Sequence, residues 1–270
     1  MLSLVATPIG NLGDITYRAV ETLKTSNYIL CEDTRHSKIL MMKYEITTPC
    51  KSYHQFNESK MEDSVISDLK NGKNVSLITD AGTPGISDPG SRLVARCISE
   101  NIDVTSIPGP CACIAALTSS GLDTTIFQFV GFLPKKELAL KKAMSDILIY
   151  NGTTIAYESP NRLIKLLEVI ATLDSERILV VGRELTKKFE TFYRGTPEVV
   201  LEQLKKKPVK GEIVILISSN PNFALCQWSE LTPEAHIDLL QETYNTTRIE
   251  AVKIVAQLRG LSKRELYKKS

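Results

Sequence analysis

The chain has 270 residues, of which 43% are hydrophobic and 24% charged, enough apolar material for one large or two modest domains with proper cores. No apolar run reaches eighteen residues, which excludes a membrane-spanning helix of the usual kind. The net charge of +2 hides an asymmetry: seven Lys/Arg and two Glu fall between Thr246 and Ser270, so the rest of the chain is slightly acidic. A basic end on an acidic body fits either contact with nucleic acid or a solvated helical face. The N-terminus begins directly as a strand, with neither a basic n-region nor a cleavage site, and a cytoplasmic location is expected. The six cysteines (Cys31, Cys50, Cys97, Cys111, Cys113 and Cys226) lack CxxC spacing, and the three histidines form no ligand pattern. Reduced thiols and no metal chemistry are therefore expected.

Short apolar runs alternate with helical periodicity along the chain, the pattern of an α/β protein with a mainly parallel sheet. In the first half, strands are expected at Leu2–Ala6, Tyr28–Cys31, Val75–Thr79 and Val104–Ile107. Helices are expected at Asp14–Thr25, Ser37–Lys43, Lys60–Lys70, Gly90–Ser99 and Cys111–Ser120. Each strand runs into a polar or Gly/Pro loop, and the four loops would gather on one edge of the sheet. After Gly121-Leu122-Asp123 a second half begins, with strands at Phe127–Phe132, Thr153–Tyr157, Ile178–Val181, Glu190–Arg194 and Glu212–Ser218, forming a mixed sheet. Its helices fall at Lys136–Tyr150, Pro160–Thr172 and Pro197–Lys205. The domain boundaries expected are 1–121, 122–220 and 221–270.

The last segment reads as three short helices. Thr232-Pro233 is a cap followed by proline at the first helical position. Thr247 with Glu250 and Ser262 with Glu265 match capping boxes. Arg248–Arg259 and Lys263–Lys269 would then form a helix-turn-helix, with Ile249, Val252, Val255, Ala256 and Leu258 packed against the first tail helix and Lys263, Arg264, Lys268 and Lys269 outside.

The loop Asp80 to Gly90 (Asp-Ala-Gly-Thr-Pro-Gly-Ile-Ser-Asp-Pro-Gly) carries the most information. Its glycines and prolines fix a tight backbone, Asp80 and Asp88 supply acceptors, and it lacks the Gly-Lys-Ser/Thr of a phosphate cradle. It suits a neutral or cationic ligand. The Ala6–Thr16 loop likewise lacks G-x-G-x-x-G, and Asp14 would cap the helix that follows. Glu32-Asp33-Thr34-Arg35 puts two carboxylates and a guanidinium at a strand end, either as a helix cap with a local ion pair or as cleft groups acting on a substrate. Pro108-Gly109-Pro110, Tyr157-Glu158-Ser159-Pro160 and Arg183-Glu184-Leu185-Thr186-Lys187 repeat the strand-end pattern.

Taken in order, Thr7–Asp14, Glu32–Arg35, Asp80–Gly90, Pro108–Pro110, Tyr157–Pro160, Arg183–Lys187, Lys210-Gly211-Glu212 and Gly260–Glu265 closely resemble the tetrapyrrole methylase superfamily over nearly the whole length. Within it, the resemblance is to the branch that methylates small-subunit ribosomal RNA. It implies two α/β domains with an S-adenosylmethionine cleft between them, a small helical C-terminal tail and a homodimer. The implied reaction is 2′-O-methylation of a cytidine ribose in the decoding region of 16S rRNA, within the assembled 30S subunit. Aligned by motif, Ile9, Asp80, Gly82, Thr83, Ile86, Cys111 and Ala112 would meet the cofactor from the first domain, and Tyr157, Leu185 and Glu212 from the second. Cys111 departs from the pattern, in which serine more often follows Pro-Gly-Pro. Glu32 or Asp33 is the expected proton acceptor, with Arg35 and Lys187 on phosphates. A porphyrin-precursor C-methyltransferase and a non-enzymatic nucleic-acid-binding protein are the alternatives.

Overall fold

The computed structural model describes residues 1–54, 56–205, 210–219, 231–244 and 246–267. They divide into two compact units, Met1–Ser119 with Gly182–Thr191, and Ser120–Val181 with Phe192–Ser270. The excursion of Gly182–Thr191 into the first unit has no counterpart in boundaries drawn at 121 and 220.

The first unit is built on β1 (Leu2–Val5), β2 (Tyr28–Cys31), β3 (Cys50–Ser52), β4 (Val75–Leu77) and β5 (Val104–Ile107). They pair in the order β3-β2-β4-β1-β5, every pair parallel. Parallel neighbours need long crossovers, which α1 (Tyr17–Thr25), α2 (Thr34–Lys43), α3 (Glu58–Lys70) and α4 (Ser91–Ser99) supply, with α5 (Ala112–Thr118) after β5. β2 and β4 carry only buried residues, as a parallel sheet covered on both faces requires. Successive side chains point to opposite faces, and accordingly Leu30 and Leu77 join one apolar cluster while Ile29 and Ile78 join another.

Two expectations are corrected here. β3 was not foreseen, because Cys50-Lys51-Ser52 is short, polar and only partly buried. Asp14 does not cap the first helix; it ends a short 3₁₀ turn, and the Thr16 hydroxyl accepts from the Ala19 amide instead.

The second unit contains β6 (Phe127–Phe132), α6 (Glu137–Leu148), β7 (Thr153–Glu158), α7 (Pro160–Leu173), β8 (Leu179–Arg183), β9 (Thr191–Gly195), α8 (Pro197–Lys205) and β10 (Ile213–Ile217). Its strand order is β6-β7-β10-β8-β9. β6 runs parallel and β10 antiparallel to β7, so the sheet is mixed. The all-apolar β10, Ile-Val-Ile-Leu-Ile, is buried throughout at its centre. In α7, Pro160 opens the helix, where its missing N–H costs nothing, and Leu163, Leu166, Leu167 and Ile170 recur at helical spacing on the buried face.

The tail helices α9 (Pro233–Tyr244), α10 (Arg248–Arg259) and α11 (Lys263–Tyr267) share this core. Ile237, Leu240, Val252, Val255 and Leu266 belong to the same cluster as Leu166, Leu179 and Ile215. Both capping boxes form: Thr247 with Glu250, and Ser262, whose amide donates to the Glu265 carboxylate while its hydroxyl accepts from the Glu265 amide. Ile249 and Leu258, expected to be packed, are 60% and 39% exposed. At about 100° per residue both fall roughly 90° from the centre of the face made by Ala251, Val252, Val255 and Ala256. Lys268 and Lys269 lie outside the described residues.

Two buried polar groups fasten the unit. The Arg177 side chain is fully buried; it pairs with Asp174 at 2.8 Å and donates to the carbonyls of Ser218 (3.0 Å) and Leu148 (2.9 Å). Neutral His236 accepts from Arg259 Nε at 3.1 Å, its pKa lowered to about 4 by burial and then by that guanidinium. Replacing Arg177 with Met orphans two carbonyls and a carboxylate. Chemical denaturation should show a loss of about 3 kcal/mol, with Arg177→Lys recovering only part of it.

Candidate active site

Because all five strands of the first unit are parallel, their carboxyl ends share one edge, the place where α/β sheets bind ligands. Residues 7–13 follow β1, Glu32 and Asp33 follow β2, Tyr53 and His54 follow β3, Thr79–Gly90 follow β4, and Pro108–Cys111 follow β5. Reciprocal backbone hydrogen bonds tie the first and fourth of these loops, from Thr7 N to Gly82 O (2.9 Å) and from Gly82 N to Thr7 O (3.0 Å). The buried Thr7 hydroxyl donates to Thr79 O at 3.2 Å. Gly82 sits at φ 83°, where a side chain would be strained, and a Cβ there would meet Ile9 Cγ2 at 3.3 Å. The Thr83 hydroxyl donates to Pro110 O at 3.1 Å, joining the fourth loop to the fifth. Ile9, Gly82, Thr83, Cys111 and Ala112 are thereby brought together, with the half-exposed Ile86 one turn on, its amide donating to Thr83 O.

Leu185 joins this group although it lies far along the chain, since residues 182–191 belong to the first unit. Its backbone packs over Gly10, where a Cβ would lie 2.8 Å from Leu185 O and 2.5 Å from Lys187 Cγ. Glu184 and Thr186, on either side of the buried Leu185, have φ of 53° and 64°. Two non-glycine residues in the left-handed region are a local strain that recurs at functional sites. The Lys187 ammonium pairs with Glu184 at 2.8 Å.

The charged groups fall into two environments. Asp33 caps α2 by accepting from the Arg35 amide and binds the Arg35 guanidinium through both carboxylate oxygens, at 3.1 and 2.8 Å. Arg35 holds it well below the usual carboxylate range, and Arg35 itself is 90% exposed. Glu32 behaves oppositely: burial and then the Asp80 charge raise its pKa, against the opposing field of His54. Asp88 is raised from 3.8 to about 6 by burial, then by Glu32 and Asp80. Asp80 Oδ1 accepts from the Asp33 amide at 3.2 Å. Glu32, Asp80 and Asp88 thus form a mutually repelling set beside two loops that contain no Lys or Arg. Such an edge favours a cationic ligand with hydrogen-bond donors. His54 was missed because the strand that delivers it gives so weak a signal. Among the described residues no His/Cys/Asp/Glu group is arranged to hold a metal ion.

Cys111 occupies the N-cap position of α5 without making a capping hydrogen bond. Its sulfur lies 3.3 Å from that of Cys113, and its pKa is lowered to about 6, chiefly by that neighbouring thiol. Tyr157 and Glu212 belong to the second unit, where β7 ends and β10 begins. Tyr157 makes edge contacts with Phe129 and Phe132, at centroid distances of 4.8 and 5.7 Å, and Glu212 is exposed.

Residues 1–200 match the family of Tetrapyrrole (Corrin/Porphyrin) Methylases. The chain belongs to this family. Among its relatives is the ribosomal RNA small subunit methyltransferase I of Halalkalibacterium halodurans, 40% identical over 98% of this chain and 93% of its own length. The protein of that description from Synechocystis is 43% identical over 100% and 97%. Solved structures with this fold include diphthine synthase (TM-score 0.63, 14% identity, covering 93% of this chain and 98% of that one). Another is uroporphyrin-III C-methyltransferase from Thermus thermophilus complexed with S-adenosyl homocysteine (TM-score 0.57, 16% identity, covering 80% and 96%).

The raised pKa of Asp88 has a sign that can be tested in this tetrapyrrole methylase. The folded state holds the Asp88 proton more tightly than the unfolded chain, so this group lowers stability as pH rises from about 4 to about 6. Asp88→Asn should therefore raise Tm at pH 8, and that advantage should vanish when melting is repeated near pH 4.

Proposed function

We propose that the protein is an S-adenosylmethionine-dependent methyltransferase that modifies a cytidine ribose 2′-hydroxyl of 16S rRNA, with the small ribosomal subunit as its substrate and a homodimer as its working form. The observation that carries this reading is the near full-length similarity to proteins described as small-subunit rRNA methyltransferases, joined to a Thr79–Gly90 loop that holds two aspartates and no lysine or arginine. When bound, the cofactor supplies an electrophilic methyl group on a sulfonium.

The chain's own residues have three tasks in this reading. Carbonyls and carboxylates of the Thr79–Gly90 loop, with Asp80 foremost, receive the ligand's ammonium and hydroxyl donors. Ile9, Gly82, Thr83, Ile86, Cys111, Ala112 and Leu185, all in the first unit, shape the surface around it. Alignment of the reacting groups then lowers much of the barrier.

Glu32 is the proposed proton acceptor. A 2′-hydroxyl is a poor nucleophile until its proton is taken up, and a carboxylate whose proton affinity is raised by burial and by Asp80 suits that task. Asp33 is the weaker base, being committed to Arg35. Arg35, exposed at the same edge, is assigned to substrate phosphate, and Lys187 supports it from the strained segment.

The tail contributes charge. Arg248 pairs with Asp238 at 3.0 Å and Arg259 with His236, so both serve α9. Lys253, Lys263 and Arg264 stay exposed and are assigned to RNA phosphates.

Transfer of a radiolabelled methyl group, offered to small subunits and to uroporphyrinogen in parallel, tests the substrate; label on the tetrapyrrole alone would refute the proposal. Glu32→Gln should lower kcat roughly 10²–10⁴-fold while S-adenosylhomocysteine affinity by calorimetry stays the same, and Asp33→Asn should do much less. Gly10→Ala should displace residues 185–187 and weaken S-adenosylhomocysteine binding without unfolding the chain. Changing Lys253, Lys263 and Arg264 to Ala should flatten the salt dependence of subunit binding by about 0.7 per lost phosphate contact.

A further inference from the structure

We infer that Cys111 and Cys113 form a peroxide-reactive dithiol that closes reversibly to a disulfide and, when closed, disables the loop edge of the first unit. The two sulfurs lie 3.3 Å apart and face one another from the N-cap and second residue of α5. Cys111 is half-exposed, so an oxidant can reach it, whereas Cys113 is buried beneath it. The thiolate character of Cys111, with its pKa near 6, supports the same assignment, because thiolate and access govern oxidation. Cys31 and Cys50 are a second thiol pair, in which the Cys31 thiol lowers the Cys50 pKa to about 7, but each of these two also donates to a backbone carbonyl, Lys51 O and Thr48 O; Cys97 is buried.

The chemistry balances with one hydrogen peroxide as oxidant. The Cys111 thiolate attacks a peroxide oxygen, the O–O bond breaks, and water leaves after protonation, giving a sulfenic acid. The Cys113 sulfur then attacks the Cys111 sulfur; the S–S bond forms, the S–O bond breaks, and the Cys113 proton leaves with hydroxide as a second water. Two thiols have lost two electrons and the peroxide has gained them.

Closure requires movement. A disulfide is about 2.0 Å long, so the sulfurs must approach by more than an ångström. Cys111 directly follows Pro110, whose carbonyl accepts the Thr83 hydroxyl, and Thr83 is bonded in sequence to Gly82, the partner of Thr7. A pull on Cys111 therefore reaches three of the loops that make the edge. The consequence for cofactor affinity rests on the function proposed above; disulfide formation does not.

Titrating the full chain with hydrogen peroxide, followed by peptide mapping and calorimetry with S-adenosylhomocysteine, tests both parts. Mapping should find a Cys111–Cys113 disulfide that dithiothreitol reverses, and the oxidised protein should bind S-adenosylhomocysteine at least about tenfold more weakly. Cys113→Ser should stop at a Cys111 sulfenic acid trapped by dimedone, while its reduced form keeps wild-type affinity. Two thiols persisting in that peptide while Cys50 is oxidised would overturn the inference, as would a disulfide that leaves affinity unchanged. If the reduced protein fails to bind S-adenosylhomocysteine, the proposed function fails, and the mapping still decides whether the dithiol closes.

Discussion

The parallel pairing of β1 to β5 organises the first unit, because it brings the carboxylates at neighbouring strand ends to one edge. With β1 to β5 all pointing the same way, Glu32 at the end of β2 and Asp80 and Asp88 beyond β4 share one edge. Residues 7–13 and 79–90 contain no lysine or arginine to relieve them. Burial first, and then their mutual repulsion, raise the pKa of Glu32 and of Asp88. A cation placed there removes the repulsion. The edge is therefore less stable alone than with a positively charged ligand, the usual relation between a site and the molecule it holds.

Rigidity of the surrounding backbone makes that arrangement sustainable. The Thr7–Gly82 bridge, the Thr83–Pro110 hydrogen bond and the close packing over Gly10 bind four separate chain segments into one rim. Loops held only by their ends would splay to separate the charges. Here the strain of Glu184 and Thr186 is carried by a segment that has little room to relax.

The strength of local signals decided what the sequence disclosed. Ile213–Ile217 is an uninterrupted apolar run and reads as a strand, expected at Glu212–Ser218; its place at the centre of the sheet does not show in the sequence. Thr247/Glu250 and Ser262/Glu265 announce helix starts through residue type and spacing alone. β3, three partly polar residues at the sheet's edge, offers neither signal, so His54 beyond it stayed hidden. Ile249 and Leu258 misled because apolar character does not say which residues lie at the centre of a helical face and which at its flanks. The candidate site was legible as a set of loops, and the burial of each loop group was not. Glu32 and Asp33 are adjacent acidic residues at one strand end, yet burial raises one and Arg35 lowers the other. Nothing in Glu184-Leu185-Thr186 foretells two left-handed residues, since neither side chain favours that conformation.

The passage of residues 182–191 from β8 through the first unit and back to β9 has a consequence for biosynthesis. Domains fold largely in the order in which they emerge from the ribosome, but this one lacks its last piece until residue 191 has been made. By then β6, α6, β7, α7 and β8 already exist as nascent chain. The unit begun first is finished late, and a stalled or truncated chain ending before Gly182 would expose Gly10 bare of its cover.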